Sequence, residues 1–225
     1  MATSKSQRIG IAIILVVTVI GTLGSFAVMI LAQDNQTKEA AKQQSALADY
    51  QAKYAEYQNK VEAQDAELSS KYYDKFKEYA PRVGEFNLEE NNKELKFEDL
   101  LVGEGEEIKD ETKFAAYYIG WNPSGKIFDQ SIDEGKLKSP LPIADGLKNA
   151  SLIEGWKEAM KGMKIGGVRE VTIPSDKAYK ETGQGDDIPP NTPLRFVIMA
   201  IDMPAQIDQP EYPASLMQGG GLYGY

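Results

Sequence analysis

From Ile9 to Ala32 the chain carries no charged residue and is dense in Ile, Val and Leu. About 20 apolar residues are enough to cross a bilayer core, so this run is long enough to span one with some tilt. A cleaved signal peptide is the competing reading, but its apolar region is usually about 7–15 residues and is followed by a small-x-small cleavage site. Val28-Met29-Ile30-Leu31-Ala32 offers no good site, and the run reads as an uncleaved anchor. Lys5 and Arg8 precede it, whereas Asp34, Lys38 and Glu39 follow it. The positive-inside bias then puts residues 1–8 in the cytoplasm and everything after Ala32 outside.

Gln33 to about Tyr79 contains no Gly or Pro and is rich in Ala, Gln, Lys and Glu, which lose little entropy in a helix. One helix is predicted over this segment, reaching on the order of 70 Å at 1.5 Å per residue and ending at Pro81. Leu47, Tyr50, Tyr54, Tyr57, Val61 and Leu68 follow a spacing of three and four, with Gln64 interrupting the stripe. Two accounts of that stripe stand: a short coiled coil that dimerises the stalk, or a single helix packed on the globular part with its polar faces solvated.

From Val83 to Met203 the pattern changes to short apolar runs between turn residues. Segments 113–119, 167–173 and 194–201 read as strands, and Asn122-Pro123-Ser124-Gly125 as a turn. Leu152, Trp156, Ala159 and Met163 share one helical face. One helix packed against an antiparallel sheet is an α+β domain, and the burial pattern closes within residues 83–203. Pro204 to Tyr225 has little aliphatic content and is expected to be a disordered tail.

Composition removes much chemistry. The chain has no Cys and no His, which excludes disulfides, thiol nucleophiles, Cys/His zinc sites and histidine bases. Val83 to Asp202 holds 15 basic against 23 acidic residues. Such a surface argues against nucleic acid as a partner, since phosphate binding relies on clustered Lys and Arg.

Several separated motifs then occur in a telling order. They are Tyr117-Tyr118-Ile119-Gly120, Gly125-Lys126-Ile127-Phe128-Asp129-Gln130-Ser131, Leu152-Ile153-Glu154-Gly155-Trp156, Ala178-Tyr179, and Ile188-Pro189-Pro190 running on to Phe196. In order and spacing this resembles the FK506-binding-protein family of peptidyl-prolyl isomerases, over about Glu94 to Asp202. The resemblance implies a five- to six-stranded antiparallel sheet curled around one short helix, with proline held between them. It implies that Tyr118, Phe128, Asp129, Leu152, Ile153, Tyr179, Ile188 and Phe196 line the pocket and that Trp156 forms its floor. The sequence departs from the family at several points. Lys180 stands where glycine is usual, and the loop Gln184-Gly185-Asp186-Asp187 is acidic, so Gln184 and Asp187 alter the substrate-binding rim. The basic residue that often pairs with the aspartate has no equivalent near Ile132-Asp133-Glu134. Leu141 to Ser151 is about two residues longer than usual, with Leu141 or Ile143 replacing a wall aromatic.

The implied chemistry breaks no bond and needs no cofactor, metal, nucleophile or general base. A dry aromatic cavity can hold the prolyl ring and disfavour the planar amide over the twisted one. By resemblance, Tyr179 and the Ile153 N–H would donate to substrate carbonyls, with Asp129 beside the prolyl carbonyl. Three readings follow: a membrane-anchored folding factor for exported or surface proteins, a non-catalytic module that captures proline-bearing partners, or a helical assembly element with a secondary domain.

Overall fold

The computed structural model describes residues 5–217, except for the side chains of residues 5–24 and 26–34. Helix α1 runs over Lys5–Lys77, followed by a 3-10 turn at Ala80–Arg82 and the short helix α2 at Leu88–Asn91. Pro81 sits in that turn, as its missing N–H requires. Strands β1 (Lys96–Leu101), β2 (Phe114–Trp121), β3 (Ile127–Gln130), β4 (Ile132–Asp133), β5 (Lys136–Leu137) and β6 (Leu141–Ile143) come next. Helix α3 (Glu154–Met160), strands β7 (Val168–Ile173) and β8 (Leu194–Asp202), and helix α4 (Ala214–Met217) complete the order. Among the described residues no helix is long and apolar enough to cross a membrane. The side chains of the Ile9–Ala32 run, Ser25 apart, lie outside that description.

The main sheet has six antiparallel strands in the order β1-β7-β8-β2-β3, with β6 pairing directly with β2 at Phe114–Ala116, the end of that strand away from β3. β2 pairs with β8 over its whole length, from Phe114 opposite Asp202 to Trp121 opposite Arg195. Alternation along these strands builds two cores. Phe114, Ala116, Val171, Ile173, Leu194, Phe196, Ile198 and Ala200 face α3 and meet Trp156, Ala159 and Met160. Ala115, Tyr117, Ile119, Trp121, Val168, Val197, Met199 and Ile201 face the other way and meet Phe76, Leu68 and Tyr72 of α1. Gly155 lets α3 approach the sheet, because a Cβ there would lie 2.3 Å from Ile173.

The α+β architecture matches the expectation, but two details differ. Leu152 and Met163, placed on the α3 face by spacing, lie outside the helix: Ile153 is its N-cap residue, and Lys161 is extended ahead of Gly162 at φ 76°. Both still reach the core from their loops. The boundary expected at Val83 falls inside one compact unit, Asn59–Ile207. Phe76, fully buried, belongs to its second core, and Ser69 accepts a hydrogen bond from Leu137 N at 2.9 Å.

The other unit is Met1–Gln58 with Asp208–Tyr225. Within it Tyr50 stacks on Tyr54 at 5.9 Å and meets Tyr212 edge-on at 5.1 Å. Of the tail expected to be disordered, residues 204–217 are thus partly partnered, and the remainder lies outside the described residues.

Candidate functional site

The cavity lies on the α3 side of the sheet, about 350 Å³ in volume, lined by Tyr118, Phe128, Asp129, Leu141, Ser151, Leu152, Ile153, Trp156, Tyr179 and Phe196. Trp156 forms its base from the first turns of α3. The rings of Tyr118 and Phe196 each stand edge-on to it at 5.4 Å. Phe128 stands edge-on to Phe196 at 5.6 Å. Such perpendicular pairs are the favoured aromatic geometry and fix the rings relative to one another. Gly120 is what permits the Phe128–Phe196 pair: a Cβ there would sit 2.6 Å from Phe196 and 2.8 Å from Phe128.

A register shift in the β2–β3 pairing at Gly120–Trp121 precedes the site. Ser131 then continues the pairing, with its N donating to Tyr118 O at 2.8 Å and its hydroxyl accepting from Tyr118 N at 2.9 Å. This holds Tyr118 and Asp129 side by side, and the Tyr118 hydroxyl donates to Asp129 Oδ2. Burial, reinforced by that carboxylate, raises the Tyr118 pKa far above its ordinary value, and burial raises that of Tyr179. Both phenols therefore remain protonated donors at neutral pH. Among the described residues no ion pair involves Asp129, and the Tyr118 hydroxyl anchors its carboxylate. Ile153 accepts from Trp156 N at 3.1 Å, and among the described residues its own N–H donates to no carbonyl in a turn or loop.

Nine residues singled out from sequence converge here: Tyr118, Phe128, Asp129, Leu152, Ile153, Trp156, Tyr179 and Phe196, with Leu141 as the replacement wall residue. Ile143 instead belongs to the core. Gln184, Asp187 and Ile188 lie in an adjoining cavity of about 270 Å³ that shares Phe128, Asp129 and Tyr179 with the first. Ser151 and Ser131 were not foreseen. Ser151 had no motif to mark it, whereas Ser131 ended a quoted motif without a role.

An open-mouthed cavity with aromatic walls, a protonated hydroxyl and a carboxylate suits a site that binds an apolar ring beside an amide. A model of the FKBP-type peptidyl-prolyl cis-trans isomerase family matches residues 104–201. The chain is 39% identical over 104 residues to the FK506-binding protein of Neisseria meningitidis serogroup A, covering 46% of this chain and 91% of that protein. This chain belongs to the FKBP-type peptidyl-prolyl cis-trans isomerase family, and residues 104–201 are the part of its domain that the family model matches. It is also 40% identical over 102 residues to FK506-binding protein 4 of Dictyostelium discoideum, covering 45% of this chain but only 26% of that longer protein. A solved peptidyl-prolyl cis-trans isomerase from Pseudomonas syringae pv. tomato is 35% identical, covering 49% of this chain and 76% of that one, at a TM-score of 0.42.

Proposed function

We propose that this isomerase is an extracytoplasmic, membrane-tethered folding factor that accelerates Xaa-Pro exchange in exported or surface polypeptides. The observation that carries the catalytic half is the perpendicular aromatic cavity with Tyr118 holding Asp129 at its mouth. Amide rotation faces a barrier of about 18–20 kcal/mol from resonance. Tyr118, Phe128, Trp156 and Phe196 exclude water around the prolyl ring, so the charge-separated planar amide loses solvation that the twisted amide needs less. Tyr179 and the Ile153 N–H donate to substrate carbonyls, and Asp129 acts electrostatically beside the prolyl carbonyl. Leu152, Ile188, Gln184 and Asp187 contact the flanking residues.

The tether rests on sequence: the uncharged Ile9–Ala32 run, with Lys5 and Arg8 on one side, makes residues 1–8 cytoplasmic and the domain external. Protease added to spheroplasts should remove residues 33–225 and leave a small membrane-bound fragment; a mature N-terminus near Gln33 would refute the anchor. Crosslinking through residues 33–80 reads out the homodimer that the Leu47–Leu68 stripe would allow.

Turnover is tested on the full chain with a Xaa-Pro peptide. Asp129→Asn and Trp156→Leu should each lower kcat/KM on the order of tenfold, about 1.4 kcal/mol of transition-state stabilisation. If the wild type binds the peptide without turnover above background, the site is a capture module rather than a catalyst.

A further inference from the structure

Asn122 is only 8% exposed although it lies in the β2–β3 turn, and its side chain makes four hydrogen bonds in two directions. Its Oδ1 accepts from Ser124 N at 3.1 Å, Ser124 Oγ at 2.7 Å and Lys126 N at 3.2 Å, which shapes the turn that leads into Phe128 and Asp129. Its Nδ2 donates to the carbonyl of Asp187 at 2.8 Å, 65 residues away in sequence. The amide orientation is fixed by that environment, since three donors converge on one atom and a carbonyl faces the other.

We propose that Asn122 is a positioning residue for substrate binding, clamping the loop Gln184–Ile188 against the hairpin that carries Phe128 and Asp129. This deepens the proposed function and rests on it. The cavity of about 270 Å³ beside the prolyl site is walled on one side by Gln184, Gly185, Asp186, Asp187 and Ile188 and on the other by Phe128, Asp129 and Tyr179. Its width is therefore the separation of loop and hairpin. Two ties across it join Asp187 to the hairpin. Lys126 Nζ pairs with the Asp187 carboxylate, but the lysine side chain is 61% exposed, and such surface pairs contribute little. The Asn122 bond is shielded from water, so it carries the larger share. Within the loop, Gln184 N donates to Ile188 O at 2.7 Å, so fixing Asp187 fixes the whole rim.

Asn122→Asp separates the two directions. A carboxylate keeps the acceptor for Ser124 and Lys126, while its second oxygen faces the Asp187 carbonyl and repels it. The hairpin stays formed and the rim is released. For the full chain, the Kd for a Xaa-Pro peptide, followed by Trp156 fluorescence, should rise by about fivefold, the value of one shielded hydrogen bond. Lys126→Met should change it by less than about twofold. The loss of kcat/KM should fall on KM rather than on kcat. An unchanged Kd in a folded Asn122→Asp protein would overturn the proposal, as would a loss confined to kcat. Should that variant fail to fold, the wild type decides: its Asn122 side-chain amide protons should exchange slowly and shift when peptide binds. Exchange at the rate of a solvated amide would overturn the proposal. Wild-type peptide binding without turnover would instead count against the isomerase reading alone, leaving the clamp to be judged on Kd.

Discussion

Lys180 sits at φ 54°, in the left-handed region, just past Tyr179 of the site. A side chain there crowds the following carbonyl, at a cost of roughly 1–2 kcal/mol, and only glycine escapes it. The conformation is held by two backbone bonds, Lys180 N to Ser175 O at 2.8 Å and Asn191 N to Lys180 O at 2.7 Å. Lys180→Gly should therefore stabilise the protein by about 0.5–1 kcal/mol, the relief being partly offset by glycine's greater freedom when unfolded. Urea denaturation measures it, and a destabilised variant would show that the lysine side chain contributes something its exposure does not suggest. The need for glycine here was visible as a departure from the family pattern, whereas the backbone geometry behind it was not. The same division holds across the site. The large aromatics were legible because type and spacing identify them. Asn122 and Ser131 were not, since a small polar residue in a turn looks the same in sequence whether it faces water or a carbonyl 65 residues away.

Elements show where periodicity succeeds and where it stops. β2, β7 and β8 were legible as apolar runs, whereas β3, β4, β5 and β6 are four residues or fewer and too short to show a period. α3 is shorter than its apolar face suggested, because Leu152 and Met163 reach the core from flanking loops. What ties α3 to the sheet is a residue that no pattern marks. Arg169 of β7, 3% exposed, donates to Ala159 O and, at 3.3 Å, to Lys161 O, satisfying carbonyls at the end of the helix. Its other nitrogens make a two-pronged pair with Asp99 of β1 at 2.6 and 2.9 Å, and its guanidinium lies 4.3 Å over the Phe97 ring. One side chain thereby joins the edge strand, its neighbour and the helix that carries Trp156. Arg169→Leu keeps the apolar stem but leaves those carbonyls and Asp99 without their donor. It should cost about 2–4 kcal/mol, less than a fully buried pair because Asp99 is partly exposed and can regain water. A chemical denaturation curve shifted by less than about 0.5 kcal/mol would place Arg169 among ordinary surface residues.

At the scale of the domain, the centre of the sheet, β2, β7 and β8, is buried on both faces. This explains a feature of the sequence that a half-exposed sheet would not. Phe114-Ala115-Ala116-Tyr117-Tyr118-Ile119-Gly120-Trp121 is apolar without interruption, where one solvated face would bring in polar residues at every second position. Alternating residues serve two cores, one holding the site and the other closed by the end of α1. That continuity was the available sign that something covers the outer face. The preceding segment left two accounts open, a dimerising stalk or a helix packed on the globular part, because most of its surface is polar and its anchoring residues, Leu68, Tyr72 and Phe76, look like the end of the stripe. The consequence is a domain that begins earlier than its first strand. A fragment of residues 59–207 should unfold in one cooperative transition. A fragment of residues 83–203 exposes Tyr117, Ile119, Trp121, Val197 and Met199, and should bind a hydrophobic dye and melt at lower temperature. In the full chain Phe76→Ala alone should cost about 3–5 kcal/mol, as for other large buried aromatics. If the two fragments melt together and Phe76→Ala is neutral, the end of α1 rests on the sheet without supporting it. In that case the isomerase domain begins at residue 83.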